Sequence, residues 1–162
     1  MIFNFNAAEV FDIAVKIEEN GKRFYDEAVK VIDDPEIKAL FQDLGEQEVE
    51  HRKKFLTLKK ELPKQATEST VFDPNNEMSA YVQVAADTHV FLKSDFESKL
   101  KEVKDAKSAL KMAMEFEKDS VIFFLTIQDA TDGQKGKQFI GELVKEEQDH
   151  LRRLSLQYRR QR

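Results

Sequence analysis

The sequence contains two Glu-x-x-His motifs separated by 99 residues, and this doubling constrains the fold more than any other feature. Glu48 and His51 form the first motif, and Glu147 and His150 form the second. Residues three positions apart in a helix lie on one face, about one turn apart. A carboxylate and an imidazole repeated in this way are the ligands that a two-metal site inside a helical bundle needs.

The 99-residue offset extends beyond the two motifs. Adding 99 also maps Glu18 onto Glu117 and aligns the apolar and small residues around all four sites without a gap. The matched pairs are Ala14 with Ala113, Ile17 with Phe116, Gly21 with Ser120, Phe24 with Phe123, Tyr25 with Phe124, Leu40 with Phe139, Phe41 with Ile140, Leu44 with Leu143 and Phe55 with Leu154. The sequence therefore predicts a helical hairpin that occurs twice.

Apolar periodicity and helix-stop signals predict four long helices and one short one. Asn6 is the predicted N-cap of the first helix, and Pro35 suits the first turn of the second. The long helices should cover about 7–32, 35–62, 104–130 and 134 to near the end, with a short helix over 78–92. A loop is expected through Asn76. Two hairpins joined by a crossover over about 63–103 predict an all-α, ferritin-like four-helix bundle, forming one domain over residues 1–162.

Composition narrows the chemistry. The chain has no cysteine, which excludes thiol catalysis, zinc-thiolate sites and rubredoxin-type iron from these 162 residues. A net charge of -5 gives no reason to expect nucleic acid as a partner. The first residues show no signal peptide, and no stretch approaches the roughly 18 apolar residues of a membrane span. A cytoplasmic protein without a membrane partner is therefore expected.

Two further glutamates, Glu18 and Glu117, fall where the helical pattern otherwise places apolar residues. A buried carboxylate is costly unless it is paired with a cation or bound to a metal. Each glutamate could instead lie at the edge of the apolar face of its helix and reach solvent. Because they recur at equivalent positions of the repeat, we interpret both as ligands. The third histidine, His89, has no glutamate three residues before it and is expected to be an ordinary, partly buried residue.

Together these residues predict a metal shell of four carboxylates and two imidazoles. Its members are Glu18, Glu48, His51, Glu117, Glu147 and His150. Oxygen and imidazole ligands without sulfur suit iron or manganese. The symmetry of such a bundle suggests that Glu48 and Glu147 bridge two ions, with Glu18 and Glu117 as terminal ligands.

In four segments the chain resembles the erythrin domain of the rubrerythrins, in the ferritin-like superfamily. These segments are Ile17–Tyr25, Glu48–Arg52, Phe116–Ser120 and Glu147–Leu151. The resemblance implies two iron ions, for which manganese or zinc can substitute, and an oxidoreductase that protects against oxidative stress. The expected substrate is hydrogen peroxide or dioxygen, and the expected assembly is a homodimer or a higher homo-oligomer.

Three departures from the family qualify what the resemblance implies. Without cysteines, electrons must come from a separate donor, either a rubredoxin-like protein or a flavoprotein. Some rubrerythrins carry an additional carboxylate beside the third-helix ligand, whereas this chain has Met114 one turn before Glu117. An active-site tyrosine is expected at Tyr25, where it would hydrogen-bond a ligand carboxylate. The residue 99 positions later, which we call its repeat mate, is Phe124. Peroxidase activity therefore rests on the resemblance, and metal binding rests on the residues.

Alternatives remain open at this point. The small residues Gly21 and Ser120, one turn after the terminal glutamates, could leave space for oxygen or peroxide, or could permit close helix packing. A ferroxidase that stores iron could use the same ligands. A metal-free bundle that serves as an interaction module could retain the glutamates without using them.

Overall fold

The chain folds into six helices in the computed structural model, which describes residues 7–61, 75, 77–131 and 134–161. The helices are α1 (Ala7–Ala28), α2 (Pro35–Glu61), α3 (Glu77–Thr88), α4 (Phe96–Glu102), α5 (Ala106–Ala130) and α6 (Gln134–Arg160). No strand occurs within these ranges. The all-α prediction is confirmed, and so are the four long helices. The predicted N-cap Asn6 and nearly all of the predicted loop before Asn76 lie outside the described residues.

Helices α1 and α2 form the first hairpin, and Asp34 determines where its second helix begins. The Asp34 carboxylate accepts hydrogen bonds from the backbone N–H groups of Glu36, at 2.9 Å, and Ile37, at 3.1 Å. The first N–H groups of a helix have no partner within the helix, and the Asp34 carboxylate supplies one for these two. Pro35, at the first helical position, has no N–H group that needs a partner. The connection is therefore short, and the two helices pack along each other.

Helices α5 and α6 form the second hairpin, which begins with a reciprocal cap. Asp105 accepts a hydrogen bond from the Ser108 backbone N–H at 2.7 Å, and the Ser108 hydroxyl accepts one from the Asp105 N–H at 3.2 Å. This capping box satisfies two backbone donors at the helix start. It sets the register of α5 and therefore the height of Glu117 in the bundle.

The described part of the crossover, from residue 77 onward, contains two helices, α3 and α4, rather than the single one predicted over 78–92. Helix α3 ends at Thr88, and α4 spans only seven residues, too few to show an apolar period in the sequence. Tertiary contacts hold α4 in place. The Arg23 guanidinium on α1 donates to Glu97 at 2.8 Å and lies 5.9 Å from the centre of the Phe96 ring.

The segment between α3 and α4 is bound by both halves of the bundle. The Asn20 amide donates to the Phe91 carbonyl at 2.7 Å, and the Asp119 carboxylate accepts from the Val90 N–H at 2.9 Å. Asn20 and Asp119 are repeat mates, 99 residues apart. The crossover is thereby held against α1 and α5 beside Glu18 and Glu117.

His89 is more deeply buried than predicted, with 1% of its surface exposed. Its Nδ1 accepts a hydrogen bond from the Phe91 N–H at 3.2 Å, so Nε2 carries the proton and donates to the Ser120 hydroxyl, also at 3.2 Å. Its pKa is lowered to about 3, mainly by burial; Glu147 opposes this change, and nearby Lys93 adds to it. The imidazole is therefore a neutral core residue.

The core around the long helices is rich in aromatic side chains. Those with almost no exposed surface are Phe24, Tyr25, Phe41, Phe55, Phe91, Phe116, Phe123 and Phe124. Phe91 of the crossover stacks on Phe116 of α5, with 4.1 Å between ring centres. Within the part of the chain that is described, no helix combines the length and apolar character needed to cross a bilayer.

Candidate metal centre

The structure brings all six predicted ligands together in the middle of the bundle. They form two groups that share Glu48 and Glu147: one adds Glu18 and His51, and the other adds Glu117 and His150. No member exposes more than 1% of its surface. The alternative that Glu18 and Glu117 reach solvent is therefore wrong. That the groups bind metal stays a prediction.

The four long helices each contribute to this cluster. Helices α1 and α5 present one glutamate each, and α2 and α6 each present a glutamate and a histidine from consecutive turns. All six side chains point inward because they continue the apolar stripe of their own helix. The two hairpins face each other, so each group takes ligands from both halves of the repeat.

Glu48 and Glu147 lie between the two histidines. Glu147 places one oxygen 2.7 Å from His51 Nδ1 and the other 3.1 Å from His150 Nδ1. Glu48 does the same at 3.8 Å and 3.7 Å. Each carboxylate therefore offers one oxygen to each group, which is the arrangement of a bridging ligand.

Glu18 and Glu117 each serve one group only. Glu18 lies 3.6 Å from His51 Nδ1, and Glu117 lies 3.5 Å from His150 Nδ1. In each group the candidate ligand atoms are all within 4.8 Å of one another. Ligand atoms about 2.1 Å from a common ion are at most roughly 4.2 Å apart, so a small inward shift would suffice.

Most polar atoms of the cluster have no hydrogen-bond partner in the protein. The buried atoms without one include both oxygens of Glu18, Glu48 and Glu147, Oε2 of Glu117, and Nδ1 of His51 and His150. Buried polar atoms without partners are rare and costly in a folded protein, so this concentration of them favours a bound cation. Carboxylate oxygens and imidazole nitrogens aimed at common points fit divalent cations such as iron or manganese.

The outer nitrogen of each histidine has a partner from the opposite hairpin. His51 Nε2 lies 2.7 Å from a Glu146 carboxylate oxygen, and His150 Nε2 lies 2.9 Å from the Gln47 amide oxygen. Both partners accept, so each Nε2 carries a proton and each Nδ1 can face a metal. Sequence reasoning missed this pair, although Gln47 and Glu146 are repeat mates that immediately precede Glu48 and Glu147.

Tyr25 is fully buried and donates its hydroxyl to Glu117 Oε1. Burial raises the pKa of Tyr25 well above its usual value, and the neighbouring Glu117 and Glu48 carboxylates raise it further. The hydroxyl therefore keeps its proton. Its repeat mate Phe124 has no hydroxyl, so Glu18 has no corresponding donor.

The ionisable groups of the cluster influence each other strongly. Burial and the adjacent Glu147 raise the pKa of Glu117 to about 8. Burial alone lowers the pKa of His150, but the Glu117 and Glu147 carboxylates reverse this and raise it to about 10. Burial and Glu18 likewise raise the pKa of Glu48. Without a cation the cluster therefore holds protons, which incoming metal ions would displace.

The small residues Gly21 and Ser120 have packing and hydrogen-bonding roles in the structure. A Cβ atom on Gly21 would lie 2.7 Å from Phe116 Cζ and 3.4 Å from Glu48 Cγ, so the glycine permits close packing of α1. Ser120 is buried and bonded to His89. These contacts favour the packing interpretation over open space for oxygen.

One glutamate from each of two helices and a Glu-x-x-His pair from each of the other two is the ligand pattern of the ferritin-like carboxylate bundles that bind two iron or manganese ions. The fold agrees with a crystal structure from Thermotoga maritima assigned as a ferritin-like diiron-carboxylate protein, with a TM-score of 0.71, 21% identity and full coverage of both chains. The rubrerythrin family model matches residues 9–158, and the chain belongs to that family. No curated protein sequence matches the chain significantly.

Proposed function

We propose that this protein is a non-haem di-iron oxidoreductase that reduces hydrogen peroxide or dioxygen. One observation carries the proposal: Glu48 and Glu147 each turn one oxygen toward each histidine, and apart from these imidazoles none of the four oxygens has a hydrogen-bond partner. Such an arrangement is costly in a metal-free core and suited to a pair of ions. Membership of the rubrerythrin family supports it.

The four carboxylates balance the charge of the proposed centre. When ionised, they carry four negative charges, equal to the positive charge of two divalent cations. Glu18 and Glu117 would hold one ion each, Glu48 and Glu147 would hold both, and each histidine would complete one position. When bound, two ferrous ions supply the two electrons of the reaction. The chain's own contribution is to fix these ligands in a site that bulk water does not reach.

Proton supply is the second requirement. Reduction of one hydrogen peroxide to two waters takes up two electrons and two protons. Tyr25 is a neutral, buried proton donor that already bonds the ligand carboxylate of Glu117. We propose that it orients Glu117 and keeps a proton available inside the dry site.

Electrons would come from a partner, which we propose to be a rubredoxin-like protein or a flavoprotein, since the chain has no cysteine to hold a second iron centre. A cytoplasmic homodimer or higher homo-oligomer is the assembly we propose. Manganese or zinc could occupy the same ligands without supplying the same electrons.

Anaerobic loading with ferrous iron tests the proposal. Wild-type protein should bind two irons per chain and develop a ferric absorption band on addition of peroxide, which bleaches on reduction. Glu48→Ala should lose this stoichiometric binding, because it removes an oxygen from both groups. Glu46→Ala changes an exposed glutamate on the same helix and should bind as the wild type does. Wild-type protein that binds no iron would refute the proposal.

The two alternative functions make different predictions in the same samples. An iron-storing ferroxidase needs a hollow assembly large enough for a mineral core, so a small oligomer on sizing would exclude it. A metal-free interaction module would be isolated without metal and would gain no stability from iron. The partnerless carboxylates in the core speak against this module.

A further inference from the structure

The two metal positions have different surroundings. We call the Glu18 and His51 side the first position, and the Glu117 and His150 side the second position. We propose that the first position binds a divalent cation more tightly and fills first, because the side chains behind its ligands make them stronger donors. This inference rests on the proposed metal binding and adds an order to it.

The first difference is in the groups that hydrogen-bond the outer Nε2 atoms of the two histidines. The repeat mates Gln47 and Glu146 occupy equivalent places, yet His51 hydrogen-bonds the Glu146 carboxylate and His150 hydrogen-bonds the Gln47 amide. An anionic acceptor draws the Nε2 proton more strongly than a neutral amide does and makes Nδ1 a more basic ligand. The imidazole of the first position is therefore the stronger donor.

The charge on Glu146 is secured by its own surroundings. It is 40% exposed, so it is ionised at neutral pH as an ordinary glutamate is. Lys54 donates to both of its oxygens at 2.8 Å, which holds the carboxylate in place behind His51. The lysine also offsets part of this charge, but it contacts water as well, being 38% exposed, so the offset is incomplete.

The orientation of Gln47 is fixed in the same manner. Its amide nitrogen donates to Asp43 at 2.8 Å, so its oxygen must face His150. Arg153, the repeat mate of Lys54, pairs with Asp43 and not directly with the glutamine. A neutral amide therefore stands between the Asp43 carboxylate and Nε2 of the histidine of the second position.

The second difference is in the hydrogen bonds to the terminal carboxylates Glu18 and Glu117, and it is independent of the first. The Tyr25 hydroxyl donates to Glu117, which withdraws electron density from that carboxylate. At the first position the repeat mate is Phe124, and both oxygens of Glu18 are without a hydrogen-bond partner. Glu18 therefore keeps its full donor strength for a cation, and both differences favour the first position.

Metal titration with Mn²⁺, which avoids oxidation during the measurement, tests the order of filling. Calorimetry should resolve two affinities that differ by about tenfold or more, the usual effect of an outer partner on a metal ligand. Crystals grown with one equivalent of Mn²⁺ per chain should show anomalous scattering mainly between Glu18 and His51. Equal affinities or equal occupancy would overturn the inference.

A matched exchange separates charge from orientation. The double variant Gln47→Glu with Glu146→Gln keeps composition, net charge and an oxygen acceptor for each histidine Nε2. It moves the anionic acceptor behind His150 and removes the amide donor to Asp43. We expect the occupancy ratio to shift toward the second position by about tenfold or more. If the outer partners only orient the rings, the ratio would not move, and the inference would be refuted.

Two single variants identify the source of the effect. Glu146→Gln should weaken the first position about tenfold and leave the second nearly unchanged. Tyr25→Phe should strengthen the second position and narrow the gap. If wild-type protein binds two Mn²⁺ ions in no preferred order, only this inference falls. If it binds neither Mn²⁺ nor ferrous iron, the proposed function falls with it.

Discussion

Tyr25 illustrates how a single side chain can matter to the centre without being one of its ligands. Its hydroxyl is the hydrogen-bond donor to Glu117 Oε1, while Glu117 Oε2 has no partner. Deleting the hydroxyl leaves the buried Glu117 carboxyl group without its hydrogen bond from Tyr25, with His150 Nδ1 3.5 Å away. An unsatisfied buried acceptor of this kind costs about 1–3 kcal/mol.

We therefore expect Tyr25→Phe to lower the free energy of unfolding of metal-free protein by about 1–3 kcal/mol. Urea denaturation in the presence of a chelator measures this change. Tyr158→Phe is the control, because Tyr158 is only partly buried and its hydroxyl makes no hydrogen bond within the described residues. Equal effects of the two variants would contradict the role of the Tyr25 hydroxyl.

His89 makes stability depend on pH. The folded protein holds this imidazole neutral down to a pKa of about 3, because it is buried, whereas the unfolded chain takes up a proton near pH 6.5. Below pH 6.5 the unfolded state therefore binds more protons, and this contribution to stability is lost as pH falls.

Comparison with His89→Gln isolates the effect from the other two histidines. Between about pH 7.5 and about pH 5.5, the wild type should lose about 1.4 kcal/mol more than the variant in metal-free protein. Denaturant titrations at both pH values measure the difference. If the wild type lost no more free energy of unfolding than His89→Gln over this pH range, His89 would be protonated in the folded protein.

At the residue scale, the sequence allowed all six candidate ligands to be predicted, because each places a polar group in an apolar stripe at a repeated spacing. The outer partners Gln47 and Glu146 were not found. They lie on partly exposed faces, where a glutamine or a glutamate is ordinary. Two observations distinguish them from other surface residues: their equivalent positions in the repeat and their hydrogen bonds to the histidine of the opposite hairpin.

The contact between α1 and α5 depends on a glycine. A Cβ atom on Gly21 would press against Phe116, which cannot retreat because Phe91 stacks on it with 4.1 Å between ring centres. A Cβ atom on Gly141 of α6 would meet the end of the partly buried, flexible Gln128 side chain, whose amide donates to the Lys137 carbonyl at 2.8 Å. Gln128 can shift at the cost of that hydrogen bond, so the same substitution is tolerated better at Gly141 than at Gly21.

We expect Gly21→Ala to destabilise the protein by about 1–3 kcal/mol through overpacking. Gly141→Ala should change the free energy of unfolding by less than about 1 kcal/mol, since the helix preference of alanine offsets the loss of the Gln128 hydrogen bond. Thermal and urea unfolding of both variants measure the contrast. A stabilised Gly21→Ala protein would show that space exists between α1 and α5.

The elements of this fold differ in how far the sequence determines them. The long helices begin at strong local signals such as Asp34-Pro35 and carry many turns of apolar periodicity. Helix α4 has only seven residues, and its position depends on Arg23 and on burial of Phe96. Such tertiary contacts bring together residues far apart in the chain, so they could not be predicted from local pattern.

The whole molecule carries a conflict between stability and metal binding. Glu18 is buried with both oxygens partnerless, which costs stability whenever no cation is present. Methionine has a similar size and no charge. Besides burial, like-charge repulsion from Glu18 raises the pKa of Glu48, so removing Glu18 relieves a cost that the metal-free core carries.

Glu18→Met should therefore equal or exceed the wild type in stability when both are metal-free. On metal loading the order should reverse, because ligands that bind only the folded state raise its stability and the variant has lost one position. Melting temperatures with and without Mn²⁺ measure this crossing. The exposed Glu46→Met is the control, and a variant less stable than the wild type in chelator would contradict the argument.

The single segment at Val90 and Phe91, which Asp119 and Asn20 hold, shows what a repeated hairpin within one chain permits. A peptide offers an amide on one side and a carbonyl on the other, so two identical hairpins around it could not both be satisfied. Once duplicated hairpins are encoded in one gene, each copy can mutate alone, which permits a donor at one mate and an acceptor at the other. The two halves of this chain use that freedom twice: Asn20 and Asp119 differ at the crossover, and Gln47 and Glu146 differ at the centre.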